Sequence, residues 1–225
     1  MGTILASAIV DKAERILLDE TNVRWTAQEL LGYLNDGQRL VVLHKPDAHV
    51  KNEAVKLAAG TKQAIPAGGI KLIRVVRNMG TVDGTTPGKA VRWADMAMLD
   101  VNRPDWHADS AGAVVDHFLF DPLDHKNFYV TPPQPTSNQG YVELIYSAAP
   151  ADVELGAAIA LDDVYKDPLF FATMWLAHSK ETSEANSSRA SAYYELFIQS
   201  ITGKTAGESA VNVATQQAVR AVRQS

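Results

Sequence analysis

Apolar and polar positions divide the chain into three parts, with helical periodicity towards both ends and short, frequently interrupted apolar runs between them. From Ile4 to Leu18, residues Leu5, Ile9, Ala13, Ile16 and Leu17 recur at helical spacing while Asp11, Lys12, Glu14 and Arg15 fall elsewhere, which predicts an amphipathic helix. The next stretch, Arg24 to Pro46, carries its own start and stop signals. Thr26 suits an N-cap, Glu29 three residues on completes a capping box, and Trp25 and Leu30 occupy the staple positions. Leu30, Leu31, Leu34, Val41 and Leu43 supply an apolar stripe that Asn35, Asp36 and Gly37 interrupt, and Lys45 and Pro46 end the helix. The short link from Asp19 to Arg24 predicts an antiparallel hairpin of the two helices.

Beyond Pro46 the punctuation changes. Glycines and prolines such as Gly60, Pro66, Gly80, Pro104, Pro122 and Gly140 separate short runs rich in β-branched and aromatic residues. Strands are expected at Ala54–Ala58, Leu72–Val76, Ala90–Trp93, Ala113–Phe120, Asn127–Thr131 and Tyr141–Ser147, with a helical turn near Met96–Asp100. After Pro150 helices return. Asp167 before Pro168 reads as a cap and first-turn pair for a helix to about Glu181, with Phe171, Met174, Trp175 and His178 on one face. A polar link offering Asn186, Ser187 or Ser188 as a cap leads to a stripe of Ala190, Tyr193, Tyr194, Phe197, Ile198 and Ile201 that stops at Gly203.

These elements predict an α+β fold, a helical bundle formed by N- and C-terminal helical hairpins with an inserted β-rich domain. The expected boundaries are 1–46 and 160–203 for the bundle, 47–159 for the insert and 204–225 for a C-terminal arm. The last segment has Val211, Val213, Val219 and Val222 scattered among small and polar residues, too few to form a core by itself.

Composition narrows the function classes. A chain of 225 residues with 46% apolar residues can bury a core, and no run of eighteen apolar residues or cleavable signal pattern predicts a membrane or secretory route. Cysteine is absent, which excludes disulfides and thiolate chemistry. The net charge of −5 argues against a broad nucleic-acid surface, and three cations against one anion after Gly203 leave −7 for the rest.

Candidate chemistry is thin. Asp116, His117, Asp121, Asp124 and His125 lie within ten residues and His107 is near Asp105 and Asp109, but neighbours on a strand point to opposite faces and the Asp-Pro and Asp-His pairs read as turns. Ser110 beside Asp109 and His107 has no nucleophile-elbow context, and residues 81–89, TVDGTTPGK, lack P-loop spacing and read as a hairpin connection. His178 reads as a core or interface histidine. No catalytic, metal or cofactor site is expected; a metal-dependent hydrolase using residues Asp116 to His125 is the alternative from another class.

Several motifs resemble those of the head-to-tail adaptor (connector) proteins of tailed bacteriophages, the tail tubular protein A-like group. They are RWTAQELLGYLNDGQRLVVLHKP at residues 24–46, LAAGTKQAIPAGGIKLIRVVRNMG at 57–80, LDVNRPDWHAD at 99–109, FDPLDHKNFYVTPPQP at 120–135 and SSRASAYYELF at 187–197. The series runs in the family's order over about residues 4 to 203, and the segment after Gly203 has no counterpart in it. The resemblance implies a non-enzymatic virion protein forming a homo-oligomeric ring, most often of twelve copies, in the neck of the virion after assembly in the host cytoplasm. Portal protein and a tail or nozzle protein are its implied partners, and genomic double-stranded DNA passes through without sequence-specific binding; another neck or tail ring, such as a terminator, is the alternative. Candidate subunit or tail contacts are the aromatics Trp25, Trp93, Trp106, Tyr129 and Tyr193, expected to be exposed, and Pro132 and Pro133 with Pro135, expected to form a stiff exposed loop. The candidate portal-binding arm carries Val211, Val213, Val219, Arg220, Val222 and Arg223.

Overall fold

The signals around Thr26 are satisfied in the computed structural model, which describes residues 2–180 and 186–203. Helix α1 spans Ala6–Leu17 and α2 spans Ala27–His44, the Thr26 side chain accepting the Glu29 backbone N–H at 3.2 Å. Trp25 and Leu30 are both buried. The link between the helices is organised by Asp19, whose carboxylate accepts the backbone N–H groups of Val23, Arg24 and Trp25 at 3.0, 2.8 and 2.7 Å.

The buried stripes differ in detail from those expected. On α1 the inward residues are Ala6, Ile9, Val10 and Ala13, whereas Leu5 and Ile16 are about half exposed. On α2, Val41 and Val42 are buried and Leu43 is exposed. The polar interruption lies inside: Asn35, Gly37 and Gln38 are buried. The reason is a length of irregular chain at residues 150–162 that lies against α2 and whose peptide groups need partners. The Asn35 amide donates to Val153 O at 3.1 Å and accepts Val153 N–H at 3.0 Å, while Gln38 Oε1 accepts Ala160 N–H at 2.7 Å and its Nε2 donates to Asn35 Oδ1. The same stretch pairs with the N-terminus, Ala6 N–H donating to Ala157 O and Ile159 N–H to Ile4 O.

The helix expected at Pro168 begins slightly earlier. After α3 (Met96–Asn102) in the insert and a 3-10 turn at Asp163–Tyr165 that Asp162 caps, α4 runs over Lys166–Ser179 with Tyr165 as N-cap. Asp167 is therefore a first-turn residue, because the capped 3-10 turn carries the chain into the helix before it. Leu169, Phe170, Ala172, Thr173, Met174 and Ala177 are all buried, so α4 is enclosed on most sides rather than along one stripe. Residues 186–203 form α5, which buries Ala190, Phe197 and Ile201. Ring contacts of Trp175 with Tyr194 and Phe197, and of Phe170 with Tyr193, join α5 to α4, and His44 of α2 meets Phe197 edge-on at 5.9 Å. Helices α1, α2, α4 and α5 make the bundle.

Residues before His49 and after Ala149 form this helical unit, and His49–Ala149 form a second, β-rich unit. The insert thus ends ten residues before the expected 159, since Asn35 and Gln38 hold residues 150–162 in the helical unit. Strands β1 (Val50–Lys56), β7 (Tyr141–Ala148) and β3 (Gly69–Asn78) make one antiparallel sheet in the order β1-β7-β3. The other has the order β2-β6-β5-β4, from β2 (Gly60–Ala64), β4 (Arg92–Trp93), β5 (His117–Leu119) and β6 (Asn127–Gln134), with β4 and β5 parallel. Leu72, Val75, Leu144 and Tyr146 from the first sheet share a core with Phe118, Phe128 and Val130 from the second.

Two features of this unit depart from simple alternation. The proline run is not an exposed loop: β6 continues through Pro132 and Pro133 to Gln134, the Thr131–Pro132 bond is cis, Pro133 is buried and its carbonyl accepts Gly112 N–H at 2.9 Å. Pairing of β3 with β7 shifts register between Gly69 and Lys71, Leu72 and Arg74, and Val75 and Arg77. Each bulge adds a residue, so that inward positions recur every third residue, Leu72, Val75 and Asn78, instead of every second. Between β3 and β4 the connection at residues 81–89 is closed by backbone bonds from Asn78 N–H to Lys89 O and from Gly88 N–H to Asn78 O, with positive φ at Gly84 and at Gly80 just before it. A side chain at Gly84 would also lie 2.7 Å from the Tyr141 ring.

Candidate functional site

In the β-rich unit no residue of α3, Met96–Asn102, is buried. A helix of two turns is unstable in water by itself, so its order has to come from its ends and flanks. Asp95 caps it by accepting Met98 N–H at 3.0 Å, and Arg103 N–H closes it on Leu99 O at 2.8 Å. Trp106, only 1% exposed, donates its indole N–H to Asp100 Oδ1 at 2.8 Å and stacks on His107 with ring centroids 3.7 Å apart. His107 is itself tied to Thr61 through Nδ1 at 2.8 Å, and Tyr129 meets both rings edge-on. The result is a pinned helix with apolar side chains left in solvent: Trp93 just before it is 57% exposed, Met98 64% and Val101 81%.

The other predicted contact residues are placed differently. Trp25 is buried beside α4, its indole N–H donating to Ala177 O at 3.1 Å. Trp25 and Trp106 are thus packing residues, because each has both a buried ring and an internal acceptor for its N–H. Tyr129, Tyr193 and Pro132 are half-buried and Pro133 is buried. The structure brings Trp106 and Tyr129 together and joins Tyr193 to Phe170 and His178, while Trp93 stands exposed in the β-rich unit. Val211, Val213, Val219, Arg220, Val222 and Arg223 lie outside the described residues.

The aspartate and histidine cluster is dispersed into local contacts. Asp116 accepts from Lys89 Nζ at 2.6 Å, and this bond holds its carboxyl below the usual range. Asp121 closes a turn on Leu123 N–H, Asp124 accepts the Asn127 amide, and Asp109 pairs with Arg103. Among the described residues no three His, Asp or Glu side chains are grouped to hold a metal ion. His178 is buried with its ring stacked on Tyr193 at 5.6 Å, and burial first, then the Arg189 charge, lowers its pKa. In the helical unit a groove of about 760 Å³ runs beside α2, lined by Asn35, Arg39, Asp152 and Glu154 among others. Arg39 bridges Asp36 and Asp152 across it, leaving a polar and internally paired lining.

The chain matches the SU10 adaptor protein family over residues 5–222. The chain belongs to this family. It is a phage adaptor protein. The match takes in both helical ends and the β-rich insert and continues past Gly203 to residue 222, so the terminal segment, which the motif series did not reach, falls within the family's extent. No curated protein matches the chain. Among the described residues of this adaptor no helix is long and apolar enough to cross a membrane. The α3 platform is the feature that motif reading missed: LDVNRP was legible as a family motif, but only the structure shows that Met98 and Val101 face solvent while Met96 and Leu99 are half-buried.

Proposed function

We propose that the chain assembles as a closed homo-oligomeric ring between the portal protein and the tail, through which the double-stranded genome passes without sequence-specific contact. Membership of an adaptor family supports the neck location, and twelve is the copy number that the family resemblance implies. The observation that carries assembly is the α3 platform, an ordered helix with Trp93, Met98 and Val101 exposed, since apolar surface held rigidly in water is stabilised by a partner. On this reading the role is structural and non-enzymatic. Residues 204–225, with Val211, Val213, Val219, Arg220, Val222 and Arg223, form the arm that takes hold of the portal, and the opposite end of the ring receives the tail or nozzle protein.

Imaging the purified chain mixed with portal tests this directly. Closed rings seated on the portal are expected, with Trp93→Ser and Met98→Ser together depleting rings while leaving the thermal midpoint unchanged, because both side chains are exposed. Truncation after Gly203 should abolish portal capture. Rings that never bind portal would overturn the adaptor placement and favour another neck or tail ring.

A further inference from the structure

The acidic excess of this chain is not shared between its two units. Residues 49–149 contain ten basic and ten acidic residues, so the −7 carried by residues 1–203 belongs entirely to the helical unit. Five of its carboxylates lie on the stretch from 151 to 167, where Asp152 pairs with Arg39 and Asp167 lies 3.8 Å from Lys12, while Glu154, Asp162 and Asp163 have no cationic partner among the described residues. Within the neutral β-rich unit the charge is itself sorted. The β1-β7-β3 sheet carries Lys51, Lys56, Lys71, Arg74 and Arg77 against Glu53 and Glu143.

Register decides which face these cations occupy. Val142, Leu144, Tyr146 and Ala148 of β7 belong to the core, so Glu143, Ile145 and Ser147 lie on the other side of the sheet. The β3 partners of those three are Arg77, Arg74 and Lys71. Three successive bulges therefore convert a spacing of three residues in sequence into one row of cations on the outer face, at steps of about 7 Å, two residues of the partner strand. Lys56 joins them from β1, opposite Tyr141. Only Arg77 is neutralised, by Glu143 at 2.6 Å; Lys71 and Arg74 are exposed and have no acidic partner among the described residues. Between the cations lie apolar side chains, Ile73 at 44% and Val50 at 41% exposure.

We infer that this outer sheet face docks on the acidic 151–167 stretch of a neighbouring copy of the same chain, and so forms a subunit contact of the ring. The inference rests on the ring reading above. Charge complementarity selects the occupant: the one unit with a net charge to offer is the helical unit, and its sign is opposite. Interleaved Ile73 and Val50 suit a protein partner, which can bury them, better than a phosphate backbone, which cannot. A heterologous contact of this kind, face against a different face, is what propagates a ring.

The test uses the full chain in four forms: wild type, Lys71→Glu with Arg74→Glu, Glu154→Lys with Asp167→Lys, and all four changes together. Self-association is measured by sedimentation over a range of protein and salt concentrations, with binding of a short fluorescent DNA duplex and circular dichroism recorded in parallel. The inference expects wild-type association to weaken as salt rises, each double reversal to lower the association constant roughly tenfold, and the quadruple form to recover it. Unchanged association in the reversals, or loss of recovery in a quadruple form that circular dichroism shows folded, overturns the inference while leaving the ring intact. Normal association combined with lost duplex binding in Lys71→Glu/Arg74→Glu overturns it in favour of a phosphate-facing surface. Wild-type chain that never associates, alone or on portal, overturns the ring reading itself.

Discussion

Two glycines in α2 offer a test of how the bundle is packed. Gly32 and Gly37 sit in the same helix, neither with positive φ, and the same substitution should act on them in opposite directions. Alanine in a helix interior is favoured over glycine by about 1 kcal/mol. At Gly32 a Cβ would meet nothing within 4 Å, so Gly32→Ala should realise that gain, raising the thermal midpoint by about 2–4 °C. At Gly37 the new Cβ would lie 3.1 Å from the Ala172 Cβ of α4 and 3.8 Å from Leu169. Forcing a methyl into such a contact costs about 1–3 kcal/mol, which cancels the propensity gain or outweighs it by up to about 2 kcal/mol. Ala172→Gly in the Gly37→Ala background removes the opposing methyl, so the pair should be non-additive by about 0.5–3 kcal/mol in the favourable direction. Urea and thermal denaturation of these three variants, of Ala172→Gly alone and of the wild type measure all of this. A midpoint for Gly37→Ala that rises as far as that for Gly32→Ala would refute the close approach of α2 and α4, and with it the packing described for the helical unit.

Other predictions concern polar groups. Asn35→Leu leaves both peptide groups of Val153 and the buried Gln38 Nε2 without their partner, and should destabilise the helical unit by about 1–3 kcal/mol in the same urea experiment, with a gain of protease sensitivity within residues 150–162. Asp19 has its pKa lowered, chiefly by the Trp25 backbone N–H, followed among the favourable contacts by those of Arg24 and Val23. A depressed carboxyl contributes stability that is present above its unfolded pKa of about 3.9 and is lost as pH falls through the folded value. The difference in thermal midpoint between wild type and Asp19→Asn should therefore be constant at neutral pH and shrink below about pH 4; a difference that persists unchanged into strong acid would show that the charge on Asp19 is irrelevant.

Legibility in the sequence followed the range of the interactions concerned. The caps of α2 were readable because Thr26 and Glu29 are three residues apart and their bonds are local. Asn35 and Gln38 looked like breaks in an apolar stripe, since the backbone groups they serve are more than a hundred residues away. Trp25 and Trp106 were expected at the surface as large aromatics with a polar atom; the acceptor that lets each go inside, Ala177 O or Asp100, is settled only by the fold. On β3 the alternation rule failed for a comparable reason, because a bulge is a property of two strands and KLIRVVRN contains one of them. β2, Gly60–Ala64, has few residues of strong strand propensity and exists through its pairing with β6. For the α3 platform the helix was anticipated and its exposure was not, as apolar residues at a contact surface and in a core are the same residues.

The β-rich unit begins and ends at partners: Ala148 N–H donates to His49 O at 3.0 Å, and the His49 ring nitrogen Nδ1 meets Ala148 O at 2.8 Å. Its two termini are therefore neighbours. An insertion attached in this manner behaves as a cassette.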